Sequence, residues 1–489
     1  MTDNKIPYLL ALSPILLLII LLSVNVVIYD NAIGGSNQLA LLFSGSLAAI
    51  IGILYGSKWK CIIDGISNSI KSIVPAIIML LLIGSLAGTW LISGVIPTMI
   101  YYGLKILNPT IFLFATAIIT AIVSLSTGSS WSTIATVGIA LLGIGTAIGL
   151  PLGLIGGAII SGAYFGDKMS PLSETTNMAA AISGVDLFDH IKYMMYTTVP
   201  SFIITLILFL GIGFYFPTDV TSEQIEQALA IISNKFVISP WLFSVPILVI
   251  VMIINKVQAI PALFFGTLLG GIFAILFQSE IVLEVSGSSI DSISSYYMGV
   301  INAMIGDINF SEVNTRINDV FNVEAEDRSD LLKSGGMYGM LNTLLLIFCA
   351  MTFSGSVEST GLLARIAEPV VKYAQNTGSL IATTACTCIF FNVTTSDQYM
   401  SLVVPGRMFA DTYKEKGLAP ENLSRTLEDS GTVTSVLIPW NSCGATQSAI
   451  LGVATLAYLP FCFFNLISPL MTIAYGYFGI KIKRIHSKV

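Results

Sequence analysis

Gly166-Asp-Lys-Met-Ser-Pro-Leu-Ser-Glu-Thr-Thr-Asn177 follows directly on a glycine-rich apolar stretch in a chain otherwise built for lipid. It brings together two carboxylates (Asp167, Glu174), an ammonium (Lys168) and several hydroxyl and amide oxygens. Such groups are costly near hydrocarbon, so their presence points to an ion or a proton as the reason for them. Read alone, the run is an interfacial loop, as polar runs after apolar helices usually are. Its counterpart later in the chain changes that reading.

With 54% hydrophobic and 10% charged residues over 489 positions, the composition excludes an ordinary soluble domain, in which about a quarter would be charged. The mean hydropathy of +0.85 agrees. The sequence predicts an all-α polytopic membrane protein. Residues 6–28, 38–55, 72–90, 193–216, 237–254, 258–278, 335–353 and 461–480 approach the roughly 20 apolar residues that a bilayer crossing needs. The first of these is too long for a secretory signal and is read as a transmembrane helix. Cys386 and Cys388 read as small core thiols rather than a metal pair.

Two copies of one unit are legible. A shift of 222 lays Leu41-Leu42-Phe43 on Leu263-Phe264-Phe265, and a shift of 267 matches Gly88 to Gly355, Gly94 to Gly361, Thr127 to Thr394 and Ser129 to Ser396. Pro171 and Pro439 continue the register within two residues. We divide the chain into repeat 1 (1–216), an extracytoplasmic connector (217–236) and repeat 2 (237–489) with a polar extracytoplasmic insertion at 280–330. Charge placement predicts opposite orientations. Lys58, Lys60 and Lys71 in the loop 56–71, and Lys481, Lys483, Arg484 and Lys488 in the tail, mark the cytoplasmic side. The insertion carries ten acids, among them Glu324, Glu326 and Asp327, against two arginines, which marks the outside. Both termini are then cytoplasmic, and each copy crosses an odd number of times.

Each copy holds apolar sequence for about six passes, so one element per copy is expected not to cross. Residues 110–148 and 378–410 are interrupted by Ser124–Thr133 and by Asn392–Gln398, and we read them as re-entrant hairpins with polar tips. The predicted architecture is two inverted-topology repeats, each of about five spanning helices plus a hairpin. Ser170-Pro171 and Ile438-Pro439 read as helix restarts with proline at the first helical position. Broken helices expose carbonyls that ligate cations and amides that favour carboxylates. Asp167, Glu174, Thr175, Thr176 and Asn177, with Thr432, Thr434, Ser435, Asn441 and Ser442, form candidate oxygen shells of the kind hard cations prefer. Asp397 lies deep in an apolar segment, where an idle carboxylate is improbable. Arg407 is read as interfacial, with a counter-ion role as the alternative. Glu358, Arg365, Glu368 and Lys372 read as one amphipathic surface helix.

Tyr164–Asn177, Pro405-Gly-Arg-Met408, Leu423–Thr434 and Ile438–Gly444 resemble the NhaC-type sodium/proton antiporter family, and the resemblance covers most of the chain. Where the family motif commonly has aspartate after Pro-Leu-Ser, this chain has Glu174. The resemblance implies sodium/proton exchange, membership of the wider ion transporter superfamily, and a homodimer in the cell membrane. It also leaves a small carboxylate open as cargo, because malate- and lactate-type sodium exchangers belong to the same family. No cofactor or nucleic acid is expected; sodium and protons are the transported species. Asp167 and Asp397 are the leading exchanging acids, with Glu174 and Asp429 close behind. Ser129, Ser130, Thr394, Thr395, Ser396, Asn177 and Asn441 would offer neutral oxygens, and Lys168 charge balance. Burial disfavours the charged form of a carboxyl, while a bound cation favours it, so one site can trade a proton for sodium. A channel would need no exchangeable acid. A hydrolase lacks its histidine, since only His190 and His486 occur.

Overall fold

The computed structural model describes residues 6–28, 35–106, 109–215, 221–255, 257–288, 290–321, 330–367, 369 and 375–485. Helices dominate it. In the first half, α1 (Tyr8–Ile28), α2 (Ser36–Leu54), α3 (Trp59–Ser72), α4 (Val74–Ile92) and α5 (Val95–Ile106) precede the first polar tip. There α6 (Phe112–Thr127) gives way to α7 (Ser130–Thr133), a π-helical turn (Ile134–Gly138) and α8 (Ile139–Ala147). The helices α9 (Leu152–Met169) and α10 (Glu174–Ser183) flank the opening polar run, and α11 (Leu187–Tyr215) follows.

The predicted connector folds largely as α12 (Ser222–Lys235), closed at its start by a capping box between Thr221 and Gln224; residues 217–220 lie outside the described residues. Next come α13 (Ser244–Ile254) and α14 (Ala259–Phe277). The acidic insertion forms α15 (Ser279–Ser286), α16 (Ile293–Ile305) and α17 (Ser311–Val320), and its β1 (Ile308–Asn309) pairs antiparallel with β2 (Lys333–Ser334) just beyond its end. Its Glu324, Glu326 and Asp327 lie outside the described residues. Then follow α18 (Leu341–Ser359), α19 (Leu362–Ala367), α20 (Thr377–Thr395), α21 (Gln398–Glu415), α22 (Pro420–Leu427), α23 (Ser442–Leu451), α24 (Thr455–Tyr458) and α25 (Phe463–Phe478).

Eight of these helical stretches are long and apolar enough to cross a bilayer, and two bent pairs raise the total to ten among the described residues. The predicted span 237–254 is the second arm of a pair bent by 84°, and 461–480 belongs to a pair bent by 56°. Ser130–Ala147 and Thr377–Thr395, both inside the predicted hairpins, each have the length and composition of a full span. The distribution of side chains fits lipid as the outer solvent. Leu9, Ile207, Leu276 and Phe478 are exposed, whereas Thr116, Thr120, Thr197, Ser201, Thr205 and Thr472 are wholly buried. Hydrocarbon outside is as apolar as leucine, so hydroxyls sort inward, where Thr120, Thr197, Ser201 and Thr205 bond to backbone carbonyls one turn earlier. The protein is a multi-pass membrane protein.

Small residues set the closest approaches. A Cβ at Gly162 or Gly166 would run into the α6 backbone carbonyls of Ala117 and Ala121, so only glycine lets α9 lie this near α6. That contact delivers the next residue, Asp167, to the first tip.

Two readings of the sequence are corrected. The basic loop 56–71 is largely the helix α3, packed on α18 where Gly65 and Gly355 leave room for each other's chains. Glu358 and Arg365 do not share a helix: Gly361, with φ +74°, separates α18 from α19. Glu368 and Lys372 lie outside the described residues.

The order of elements recurs along the chain. Left-handed backbone appears at Gly94, Gly128, Gly149 and Gly184, and again at Gly361, Ser396, Gly417 and Gly452. The first two members of each set are 34 and 35 residues apart, so the offset between the two sets grows from 267 to 268 before the tips and then holds. Ser129 therefore corresponds to Asp397 rather than to Ser396.

Candidate functional site: two polar tips and two helix breaks

Both tips are built alike. Helix α6 stops at Gly128 (φ +69°) and α20 at Ser396 (φ +58°), and in each case the next residue caps the following helix. Ser129 Oγ accepts from Ser132 N at 3.2 Å, and Asp397 Oδ1 accepts from Tyr399 N at 2.9 Å. Asp397 is 5% exposed. It combines two tasks, helix cap and buried acid.

Both breaks are also built alike, and here the prolines act differently from expectation. Residues Ser170–Ser173 and Ile438–Asn441 form turns closed by Ser173 N to Ser170 O (3.2 Å) and Asn441 N to Ile438 O (3.0 Å). Pro171 and Pro439 occupy the second turn position, which their fixed φ suits, and force the preceding residue to be extended. Ser170 has ψ 131° and Ile438 ψ 116°. The helices restart three residues later, at Glu174 and Ser442, not at the prolines. Asn177 Nδ2 ties the first turn, donating to Pro171 O (2.9 Å) and Ser173 O (2.7 Å). Asn441 ties the second: its Oδ1 accepts from Cys443 N, and its Nδ2 donates to the Asn392 carbonyl and side-chain oxygens.

Tips and breaks meet. Asp167 Oδ2 accepts from Ser130 N at 3.1 Å and from Ser130 Oγ at 2.7 Å, joining the first break to the first tip. These two bonds use about half of a carboxylate's acceptor sites, leaving room for a proton or a cation. Ser442 N donates to Ser396 O at 2.8 Å, joining the second break to the second tip. Tyr399 donates to Glu174 Oε2 at 2.8 Å and thereby links the second tip to the first break. Asn392 Nδ2 holds Gly431 O (2.6 Å) and Thr434 Oγ1 (3.0 Å), while Gln398 Oε1 accepts from Ser435 Oγ (3.3 Å) and Cys443 Sγ (3.0 Å).

Among the described residues, one ion pair crosses between the halves. Lys168 and Asp429, both wholly buried, are in direct contact. Lys168 also donates to Ser468 Oγ at 3.1 Å, and Asp429 accepts from Thr197 Oγ1 (2.8 Å) and Ser468 Oγ (3.2 Å). The ammonium lies 5.8 Å from the Phe464 ring centre. Thus the charge balance expected of Lys168 is directed at Asp429. Asp429 stands in a π-helical turn, Glu428–Thr432, between α22 and the 3-10 turn Ser435–Leu437. Such turns recur at functional sites because they break the regular hydrogen-bond ladder.

The remaining candidates divide. Asp167 is half-buried, and Glu174 and Asn177 are exposed. Thr176 Oγ1 donates to Lys168 O (3.0 Å), and Thr175 Oγ1 lies 3.1 Å from Ser173 Oγ. Thr394 and Thr395 bond back to the carbonyls of Phe390 and Phe391, whereas Ser396 Oγ is buried without a partner among the described residues. Arg407 is exposed on α21, nine residues and about 13 Å along the helix from Gln398. Tyr399, Thr197, Ser468 and Glu428 were not singled out from the sequence. Thr197 and Ser468 stand close to the helix prolines Pro200 and Pro469, the one signal that could have flagged them.

The site can therefore offer carboxylate, hydroxyl and carbonyl oxygens at two chain breaks, with one fixed ion pair between the halves. The profile of the Na+/H+ antiporter family matches residues 162–480, which hold both breaks and the second tip. The Na(+)/H(+) antiporter NhaC of Alkalihalophilus pseudofirmus is 37% identical over 443 residues, 90% of each chain. The malate-2H(+)/Na(+)-lactate antiporter of Bacillus subtilis is 36% identical over 90% of this chain and 89% of its own. The arginine/ornithine antiporter ArcD of Halobacterium salinarum is 34% identical over 96% of this chain and 92% of its own. On the family profile and on relatives above one-third identity across nine-tenths of its length, the chain belongs to the Na+/H+ antiporter family.

Proposed function

We propose that the protein is a secondary antiporter that exchanges sodium for protons across the cell membrane by alternating access. The observation that carries this reading is the meeting of two helix breaks and two polar tips, with Asp167 at the first break and Asp397 at the second tip, inside a molecule akin to Na+/H+ antiporters over most of its length. Asp167 and Asp397 are the acids that trade a proton for sodium, with Ser130 orienting Asp167 and Tyr399 N orienting Asp397. A cation arriving at Asp167 takes up its remaining lone pairs and expels the proton; sodium and proton then cannot share the site, and exchange is obligatory. The two halves are inverted repeats whose tips are re-entrant, both termini are cytoplasmic, and the protein acts as a homodimer.

Organic-acid exchange is the second reading, favoured by kinship with the malate/lactate antiporter. A carboxylate cargo needs a cation, yet Lys168 is already bonded to Asp429 and Arg407 lies exposed on α21. Inorganic exchange is therefore preferred. The test is purified protein in proteoliposomes with an internal pH dye, challenged with sodium, lithium, potassium, lactate and malate gradients. Sodium alone drives proton movement on this reading; proton movement that requires an organic acid would defeat it.

A further inference from the structure

Neighbouring acids in the π-helical turn are treated in opposite ways. Asp429 receives Lys168, Thr197 and Ser468. Glu428, equally buried at 0% exposure, has neither carboxyl oxygen hydrogen-bonded among the described residues. Among the described residues, the Thr432 hydroxyl is the one neutral donor beside it, so burial disfavours the ionised carboxylate strongly and the protonated form far less. Nothing in the exchange mechanism above uses Glu428. Its surroundings nonetheless suit a carried proton.

Lys168 and Asp167 from α9 and Asp429 from its own turn are the charged groups that face it. Among the other elements packed on the turn, α22 brings Arg425, stacked on Tyr193 and Tyr475, and α10 begins with Glu174. Helix α20 reaches the turn through Asn392, α21 through Ser401 and Leu402, and α25 through Ser468, none of which titrates. One lysine thus serves two adjacent acids, and only one of them is paired with it in this conformation.

We propose that Glu428 is a second proton site of the exchanger and acts through Lys168. When the Glu428 O–H bond breaks, the proton leaves to water on the open side and the carboxylate left behind competes with Asp429 for Lys168. Lys168 then balances both acids while sodium crosses, and Glu428 takes up a proton for the return, so the site carries a proton in exchange for sodium without being needed for the crossing itself. This rests on the reading of the chain as a proton-coupled exchanger.

The experiment compares wild type with Glu428→Gln in proteoliposomes, by sodium-driven proton movement over a pH series and by exchange of radiolabelled sodium for sodium at equal pH. The isosteric, neutral amide should cut proton movement by roughly tenfold or more and leave sodium–sodium exchange within about twofold. Proton movement equal to wild type would overturn the proposal, as would equal loss of both exchanges in a monodisperse protein. A wild type that moves no protons with sodium brings down the antiport reading itself, a different outcome. Should Glu428→Gln not fold, labelling of the wild type by a hydrophobic carbodiimide decides: mass spectrometry should find Glu428 modified increasingly as pH falls, and no modification at any pH would overturn it.

Discussion

Lys168 and Asp429, 261 positions apart in sequence, form a wholly buried ion pair that ties the helix ending at the first break to the π-helical turn of the second half. Removing one partner strands the other charge. Lys168→Met and Asp429→Asn should each lower stability by about 3–5 kcal/mol, and Lys168→Met with Asp429→Leu should recover most of that loss. Thermal melting in detergent checks this; a double variant no more stable than either single would contradict it.

Asp167→Asn retains one oxygen to accept from Ser130 but can no longer exchange a proton. Stability should change by less than about 1 kcal/mol, while sodium-driven proton movement falls roughly tenfold or more. Asp397→Asn should behave similarly, because asparagine caps a helix nearly as well as aspartate. A variant that acidifies or alkalinises vesicles like wild type removes its residue from the mechanism.

The tips give a conformational test. Gly128→Ala places a Cβ 2.5 Å from Leu172 Cβ in left-handed backbone and should cost about 2 kcal/mol or more. Ser396→Gly removes the side chain from a residue at φ +58° and should stabilise by up to about 1 kcal/mol, since Ser396 Oγ has no partner among the described residues to lose. Denaturation midpoints that move in the same direction for both would refute this account of the tips.

At the tail, Lys483 Nζ meets Glu421 Oε1 at 2.5 Å with the lysine half exposed. The carboxylate raises the ammonium above its ordinary value. Any stability the pair gives is therefore present below the unfolded lysine's range and lost as pH rises through the folded value. Lys483→Ala should cost less than about 1 kcal/mol at neutral pH, in contrast to Lys168→Met. Melting curves of the two variants side by side test the difference.

Much of this was legible in the sequence, because hydropathy reports lipid contact directly and polar interruptions of apolar runs mark where backbone leaves the helix. Asp167, Asp397 and the two proline breaks stood out for that reason. The partner of Lys168 did not. Asp429 comes from the other half of the chain, and no local pattern encodes a contact across 261 residues. The role of Pro171 was misjudged because proline suits both a first helical position and a turn, and only the backbone of Ser170 and Ser173 distinguishes them. The tip register slipped by one because serine and threonine abound on both sides of Gly128 and Ser396, whereas left-handed φ identifies one residue in each.

The π-helical turns do not correspond. One follows the first tip at Ile134–Gly138, while the other, Glu428–Thr432, precedes the second break. Exchanging the conformations of the two halves therefore does not regenerate the starting molecule turned over by a half rotation. On the proposed cycle the inward-open and outward-open endpoints differ in free energy, so the carrier rests preferentially on one side of the membrane. Its forward and reverse modes should then half-saturate at different sodium concentrations.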